Sequence, residues 1–233
     1  SGEVGHPKFG IILDRLYHTL TEQCKIWSGK TLEKPTASSR VVAFTNRVKH
    51  RKIKKEWKKS NWVDRVAAMH DVSRAMRHLH SHNIVFRDLK PDNIGIDVRG
   101  DVKIFDFGLA KELKEADRVG DTNQYRASGL TGTRRYMAPE VVKCVPYGLS
   151  IDVYSFAMCL WEMLALKVPF LDYEKEKHES LVAYGGQRPK IPSSWPSDLR
   201  SIIAHGWSAQ PADRGQFTDI SNSLEKYLQT MSA

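Results

Sequence analysis

The sequence predicts an α+β chain that is mainly α, and three patterns carry that reading. Val66, Met69, Val72, Met76 and Leu79 recur at spacings of three and four, one face of an amphipathic helix. Ile94 and Ile96, then Val102 and Ile104, alternate instead. The turn-forming Asp97-Val98-Arg99-Gly100-Asp101 lies between the two pairs, which marks a small β-hairpin. From Asp152 onward helical spacing returns, with Phe156, Leu160, Met163 and Leu164 on one side.

Taken in order, residues 9–13 (Phe-Gly-Ile-Ile-Leu) form a short apolar run suited to a buried strand, and a short helix is expected from Tyr17. Residues 28–60 are rich in Ser, Thr, Lys and Arg with little apolar periodicity, so they read as an inserted loop or a solvated helix. Asn61 is suited to cap the helix that follows over 63–80. After the hairpin, residues 108–136 are polar and read as one long loop, a length usually tied to function. Pro189, Pro192 and Pro196 then link to helices expected over 199–205 and 217–228. The most apolar stretch, 153–170, is interrupted by Glu162 and Lys167, so it is expected to be a buried helix rather than a transmembrane segment. There is no internal repeat.

The 233 residues carry a net charge of +9, and 41% of them are hydrophobic, which suits one sizeable globular domain. The charge excess is local: residues 25–59 hold 12 basic and 2 acidic residues, whereas residues 60–233 hold 22 of each sign. A protein that coats nucleic acid with a uniformly basic surface is excluded on that distribution. The run at 47–59 has eight Lys or Arg against one Glu. It admits three readings: a solvated segment, a patch for an import receptor or nucleic acid, or a contact for an acidic partner or anionic membrane. Three cysteines with no C-x-x-C pair argue against a disulfide framework and a zinc ribbon. The expectation is reduced thiols in an intracellular protein, cytoplasmic, with nuclear access if the basic run serves import.

The residues that bear chemistry fall in one ordered series. Asn83 opens N-I-V-F-R-D-L-K-P-D-N; Asp106-Phe107-Gly108 begins 18 residues after Asp88; Tyr136-Met137-Ala138-Pro139-Glu140 closes 34 residues after Asp106. Each piece alone is weak, since polar residues are common in turns. The order, with a hairpin between the first two and a polar loop between the second two, is hard to obtain by chance. Phosphoryl transfer needs a carboxylate near the acceptor hydroxyl and cations near the moving charge. Asp88, Lys90, the amide oxygen of Asn93 and the strand-end carboxylate of Asp106 offer those groups.

Over roughly residues 9–228, apart from the basic insert, the chain resembles the eukaryotic protein kinases. Leu89-Lys90-Pro91 and Gly132-Thr133 resemble the serine/threonine type, and Tyr154-Ser155-Phe156 with L-W-E-M-L the tyrosine-kinase-like branch. The resemblance implies a helical large lobe with a small β-hairpin over 17–230, preceded over 1–16 by a remnant strand and hinge of the small lobe. It implies transfer of the γ-phosphate of ATP, with Mg²⁺, to Ser or Thr of a protein substrate. Asp88 would be the catalytic aspartate and Lys90 the phosphate-contacting lysine. Asn93 and Asp106 would hold magnesium, and backbone groups of Asp14 and Leu16 would face adenine. Thr133 would contact Asp88 and Lys90, Glu140 would pair with Arg214, and Asp152 would hold the catalytic-loop backbone. Apart from the resemblance, the Arg87 guanidinium calls for an anion: a phosphate on Ser128 or Thr131 of the activation loop would order that loop, or a carboxylate such as Asp117 or Asp121 orders it without modification.

Two departures from the family pattern are visible. Phe86 replaces the usual His before Arg87-Asp88, where an apolar slot suits it. The chain contains no glycine-rich phosphate loop, no V-A-I-K-type lysine strand and no helix bearing the partner glutamate. Either those parts lie upstream of Ser1, or the chain is a truncated or pseudokinase binding module.

Overall fold

The computed structural model of the chain describes residues 16–29, 47–126 and 129–232. The strand expected at 9–13, the hinge position Asp14 and the loop residue Ser128 lie outside them. The first described element is a strand, β1 (Leu16–Thr19), where a helix was expected from Tyr17. Helix α1 (Leu20–Trp27) starts three residues later because Thr19 caps it. The Thr19 side chain accepts the Glu22 N–H, and the Glu22 carboxylate accepts the Thr19 N–H at 2.8 Å.

Helix α2 (Arg47–Ser81) is 35 residues long, about 52 Å at 1.5 Å per residue. The basic run at 47–59 is therefore continuous with the helix expected at 63–80 and is no loop between two helices. Asn61 lies inside α2 instead of capping it, and its Nδ2 donates to the Trp27 carbonyl at 3.1 Å. The predicted apolar face is present: Val66, Met69, Val72 and Met76 are fully buried and Leu79 partly so.

Four short strands follow: β2 (Ile84–Val85), β3 (Ile94–Asp97), β4 (Val102–Ile104) and β5 (Lys111–Glu112). β1, β3 and β4 form an antiparallel sheet in that order, with Leu16 opposite Asp97 and Ile94 opposite Ile104. β2 and β5 form a second antiparallel pair. The stretch 108–136 is thus not one unbroken loop. It contributes β5, and Tyr125 bridges to both Arg118 and Tyr147. Strands of two residues are too short for alternation to reveal them.

The remaining elements are helical: α3 (Pro139–Val142), α4 (Ser150–Ala165), α5 (Lys175–His178), α6 (Ser197–Gly206) and α7 (Phe217–Ser232). Every residue of α4 from Ile151 to Leu164 is buried, so the helix is enclosed on all sides, as its near-continuous apolar sequence requires. It ends at Leu166, whose φ of +52° reverses the chain. α2 and α6 pack against α4, and α7 packs along α2. Arg65 of α2 ties the layers together. Its guanidinium donates to the Met163 and Leu164 carbonyls at the end of α4, both at 3.1 Å. Among the described residues no helix is long and apolar enough to cross a membrane.

The three cysteines are unpaired. Burial pushes the half-buried Cys24 thiol up to about 12, with the Glu162 charge adding to it. Cys159 is fully buried and raised in the same way, whereas Cys144 is exposed. The thiolate is the reactive form. Titration of the native protein with a thiol reagent at pH 8 should therefore modify Cys144 rapidly, with Cys24 and Cys159 reacting only after denaturant is added; mass spectrometry of the labelled peptides checks the assignment.

Candidate active site

The site begins with a carboxylate at the heart of the fold. Asp152, on the first turn of α4, is completely buried. Its Oδ2 accepts the Phe86 N–H at 2.8 Å and its Oδ1 the Arg87 N–H at 2.9 Å. His80, near the end of α2, completes its partners through Nε2 at 2.9 Å. These bonds hold the chain just after β2, where Arg87 adopts φ +72°, a left-handed backbone that a non-glycine residue adopts only at a cost of about 1–2 kcal/mol. Phe86 is fully buried, and its ring meets Phe107 edge to face with centroids 5.3 Å apart. The residue that replaces the expected histidine thus joins the loop to the Asp106-Phe107-Gly108 segment through an aromatic contact.

With that backbone fixed, Asp88, Lys90, Asn93 and Thr133 converge. Lys90 Nζ donates to Asp88 Oδ2 at 2.8 Å and to Thr133 Oγ1 at 2.7 Å. The Thr133 N–H donates to Asp88 Oδ1 at 2.7 Å. Asn93 Nδ2 donates to both the carbonyl and Oδ2 of Asp88 at 3.0 Å, so its amide oxygen is the atom not engaged with Asp88. Burial pushes the Asp88 carboxyl up, but the bonds and charge of Lys90 and the bonds from Thr133 outweigh it and hold it below the usual carboxylate range. Asp88 is thus an anion at neutral pH, held by donors on both oxygens. Gly132 makes the approach possible: with φ +107°, a Cβ there would stand 2.4 Å from the Arg87 carbonyl oxygen. No other residue type fits.

The hairpin places the two expected magnesium ligands at one end. The Phe105 N–H donates to the Asn93 carbonyl at 3.1 Å, so Asp106 follows directly past the pair. Asp106 is exposed, has φ +63°, and turns its Oδ1 back over Gly108. Leu16 lies in β1, with its side chain against Gly95 of β3, and β1 packs beside the Pro91–Asn93 turn. The Arg87 side chain donates to the Leu109 carbonyl and, at 3.4 Å, to the Tyr147 hydroxyl. Thr131 is half-buried and its hydroxyl donates to the Gly129 carbonyl at 3.2 Å.

Beneath this layer Arg214 and Glu140 form a buried, two-pronged ion pair, with Nη2 to Oε2 at 2.8 Å. Arg214 also donates to the Ser150 and Ser208 carbonyls. Sequence reasoning missed three partners. His80 on Asp152 and Tyr147 beside Arg87 carried no local signal. Glu162 was noted only as an interruption of an apolar stretch, yet a charge inside so apolar a run is itself a sign of a buried bonding role. Its Oε2 accepts the Tyr136 hydroxyl at 2.6 Å. Burial raises its pKa to about 7, against the pull of Tyr136 and Arg135.

A buried carboxylate thus anchors a left-handed loop, an Asp–Lys–Thr network lies beside it, and a hairpin presents Asn and Asp. The family of the protein kinase domain matches residues 26–224, and the chain belongs to it. Among similar proteins, the serine/threonine/tyrosine-protein kinase HT1 of Arabidopsis thaliana is 37% identical over 157 residues, 67% of this chain and 38% of that protein. The serine/threonine-protein kinase VIK, also of Arabidopsis thaliana, is 40% identical over 169 residues, 69% of this chain and 37% of its own. The human serine/threonine-protein kinase TNNI3K is 35% identical over 161 residues, 68% of this chain and 19% of its own. The match therefore spans well under half the length of these relatives.

Two measurements probe the site's framework. Asp152→Ala leaves the Phe86 and Arg87 N–H groups without an acceptor and should cost at least about 2 kcal/mol in urea denaturation. Glu162 binds its proton more tightly folded than unfolded, so its contribution to stability falls as pH rises from 4.5 to about 7. Buried His178, lowered to about 4, acts in the opposite sense over much of that range. The readout is therefore the difference between wild type and Glu162→Gln: the wild type should lose stability relative to the variant across this window, and parallel curves would contradict the assignment.

Proposed function

We propose that the protein carrying this chain is a protein serine/threonine kinase that transfers the γ-phosphate of ATP to hydroxyl groups of protein substrates. The observation that supports this best is the network in which Lys90 bridges Asp88 and Thr133. Asp88, an oriented anion, accepts the proton of the substrate hydroxyl as its oxygen forms the new bond to phosphorus. The bond from phosphorus to the bridging oxygen breaks, and ADP leaves with that electron pair. Lys90 supplies an ammonium beside the transferring group, and Thr133 holds both side chains in register.

Asn93 and Asp106 fit Mg²⁺. One offers an amide oxygen not engaged with Asp88, the other an exposed carboxylate, and Mg²⁺ takes few protein oxygens when phosphate oxygens supply the rest. Bound magnesium would neutralise phosphate charge. Leu16 and the hinge position Asp14 are proposed to meet the adenine through their backbone.

Asp88→Asn in the full-length protein should lower kcat at least 100-fold, about 2.7 kcal/mol, while the melting temperature shows that the fold persists. Retention of more than a hundredth of the rate would remove Asp88 from this role. Matched peptides with Ser, Thr or Tyr at the acceptor position test the substrate class: Ser and Thr should be phosphorylated and Tyr not.

A further inference from the structure

The basic run at 47–59 has no part in the reaction network, yet it belongs to the same helix as part of the core. α2 changes character at Asn61, whose amide bonds the Trp27 carbonyl. Downstream, Arg65, Met69, Val72 and Met76 recur at spacings of three and four and are buried. Upstream, the same stripe continues at the same spacings through Lys58, Lys54, Arg51 and Arg47. One face of a single helix is thus mainly apolar where it meets the core and wholly cationic before it. A cationic stripe packs against apolar groups only at a high desolvation cost, so it calls for an anionic counterpart. The length of the helix agrees. The Trp62 indole N–H donates to the Tyr227 hydroxyl at 3.0 Å, and α7 ends five residues later, at Ser232. From Trp62 back to Arg47 α2 runs 15 residues, about 22 Å against about 7.5 Å, more than the end of α7 can flank.

The distribution of charge selects the kind of anion. At 100° per residue, the eight Lys and Arg positions, from Lys54 round to Lys49, occupy about 220° of the helix circumference. The remaining ridge holds His50, Ile53, Trp57 and Ser60, and Glu56 is the only acid in the run. Like charges stand four residues apart in Arg47–Arg51, Arg51–Lys55, Lys54–Lys58 and Lys55–Lys59, and the first turn of α2 carries no acid to oppose the positive end of the helix dipole. An anion along the run offsets both repulsions. A bilayer or a flat acidic surface meets one side of a helix, whereas cations over more than half the circumference suit anions on two sides. Ile53 and Trp57 alone make too narrow an apolar face to insert in a membrane. The major groove of B-form DNA is about 12 Å wide, admits a helix about 10–12 Å across and is walled by the phosphates of both strands. The major groove of duplex RNA is too narrow for this.

We propose that residues 47–59 of α2 bind duplex DNA, the helix lying in the major groove with its Lys and Arg residues against the phosphates of both strands. Six of the eight cations are lysines, point charges that suit phosphate contacts more than the reading of base edges. The 13 residues span about 20 Å, the rise of about six base pairs. This goes beyond the kinase reading and does not depend on it.

The test titrates the full-length protein onto a fluorescent DNA duplex of about 20 base pairs, read by anisotropy between about 50 and 200 mM salt, beside the triple variant Lys54→Glu, Lys55→Glu, Lys58→Glu. The wild type should bind with a micromolar or tighter dissociation constant at the lowest salt, and log affinity should fall with log salt at a slope of at least about −3. The variant should bind at least about tenfold more weakly, with a slope shallower by about two to three, one for each phosphate contact removed. Circular dichroism and the melting temperature establish that the variant is folded; if it is not, Gln at the same three positions takes its place under the same criteria. Parallel titrations use duplex RNA, vesicles of phosphatidylserine with phosphatidylcholine, and polyglutamate. Binding to any of these as tight as binding to the DNA, or tighter, overturns the proposal and assigns the run to that partner. No binding of the DNA by the wild type, binding that salt does not weaken, or equal binding by wild type and variant overturns it as well.

Discussion

The buried carboxylate of Asp152 is the constraint on which the site depends. It sits on the helix enclosed by the rest of the fold, so its position is set by packing on every side. From there it holds two consecutive backbone N–H groups, of Phe86 and Arg87, and it is bonded in turn by His80. A carboxyl group with no solvent contact is tolerable only with such a full set of hydrogen-bond partners. The left-handed turn at Arg87 is imposed by this anchor, and Asp88 is aimed by that turn. A small rotation of α4 would therefore be transmitted to the Asp88 carboxylate through two hydrogen bonds.

The floor beside Asp88 is tied to the same helix by a second route. Ser155 of α4 donates to the Tyr136 carbonyl at 2.7 Å, and Glu162, two turns further on, accepts the Tyr136 hydroxyl. Arg214 and Glu140 secure the following segment, where removal of either partner would leave an uncompensated charge in the interior. Loop 86–93 and segment 132–140 are thus both referenced to α4, and they meet at Gly132, where only the absence of a side chain permits contact with the Arg87 carbonyl. The Lys90–Thr133 bond is the result of these two independently anchored pieces arriving at the same point.

The local features were legible because they rest on periodicity and turn chemistry. The apolar face of α2, the hairpin of β3 and β4, and the enclosed helix α4 follow from spacings of 3.6 and 2 and from one apolar run. The errors were also local in origin. Tyr17 lies in a strand because pairing with β3 overrides its immediate neighbours. Asn61, a good capping residue, sits inside a helix that the basic residues before it continue. β5 was hidden because two residues show no period.

What the sequence determined by itself is the order of the chemical groups: an Asp, a Lys and an Asn within six residues, a second Asp at the end of a hairpin, and a Thr and a Glu beyond it. That order was enough to indicate the protein kinase domain family, which the comparisons show. Only the tertiary structure decided which groups bond. Phe86 and Asp152 are 66 residues apart, Lys90 and Thr133 43, Tyr136 and Glu162 26. Across such distances a hydrogen bond leaves no periodic trace, because its partner is selected by how helices and loops pack.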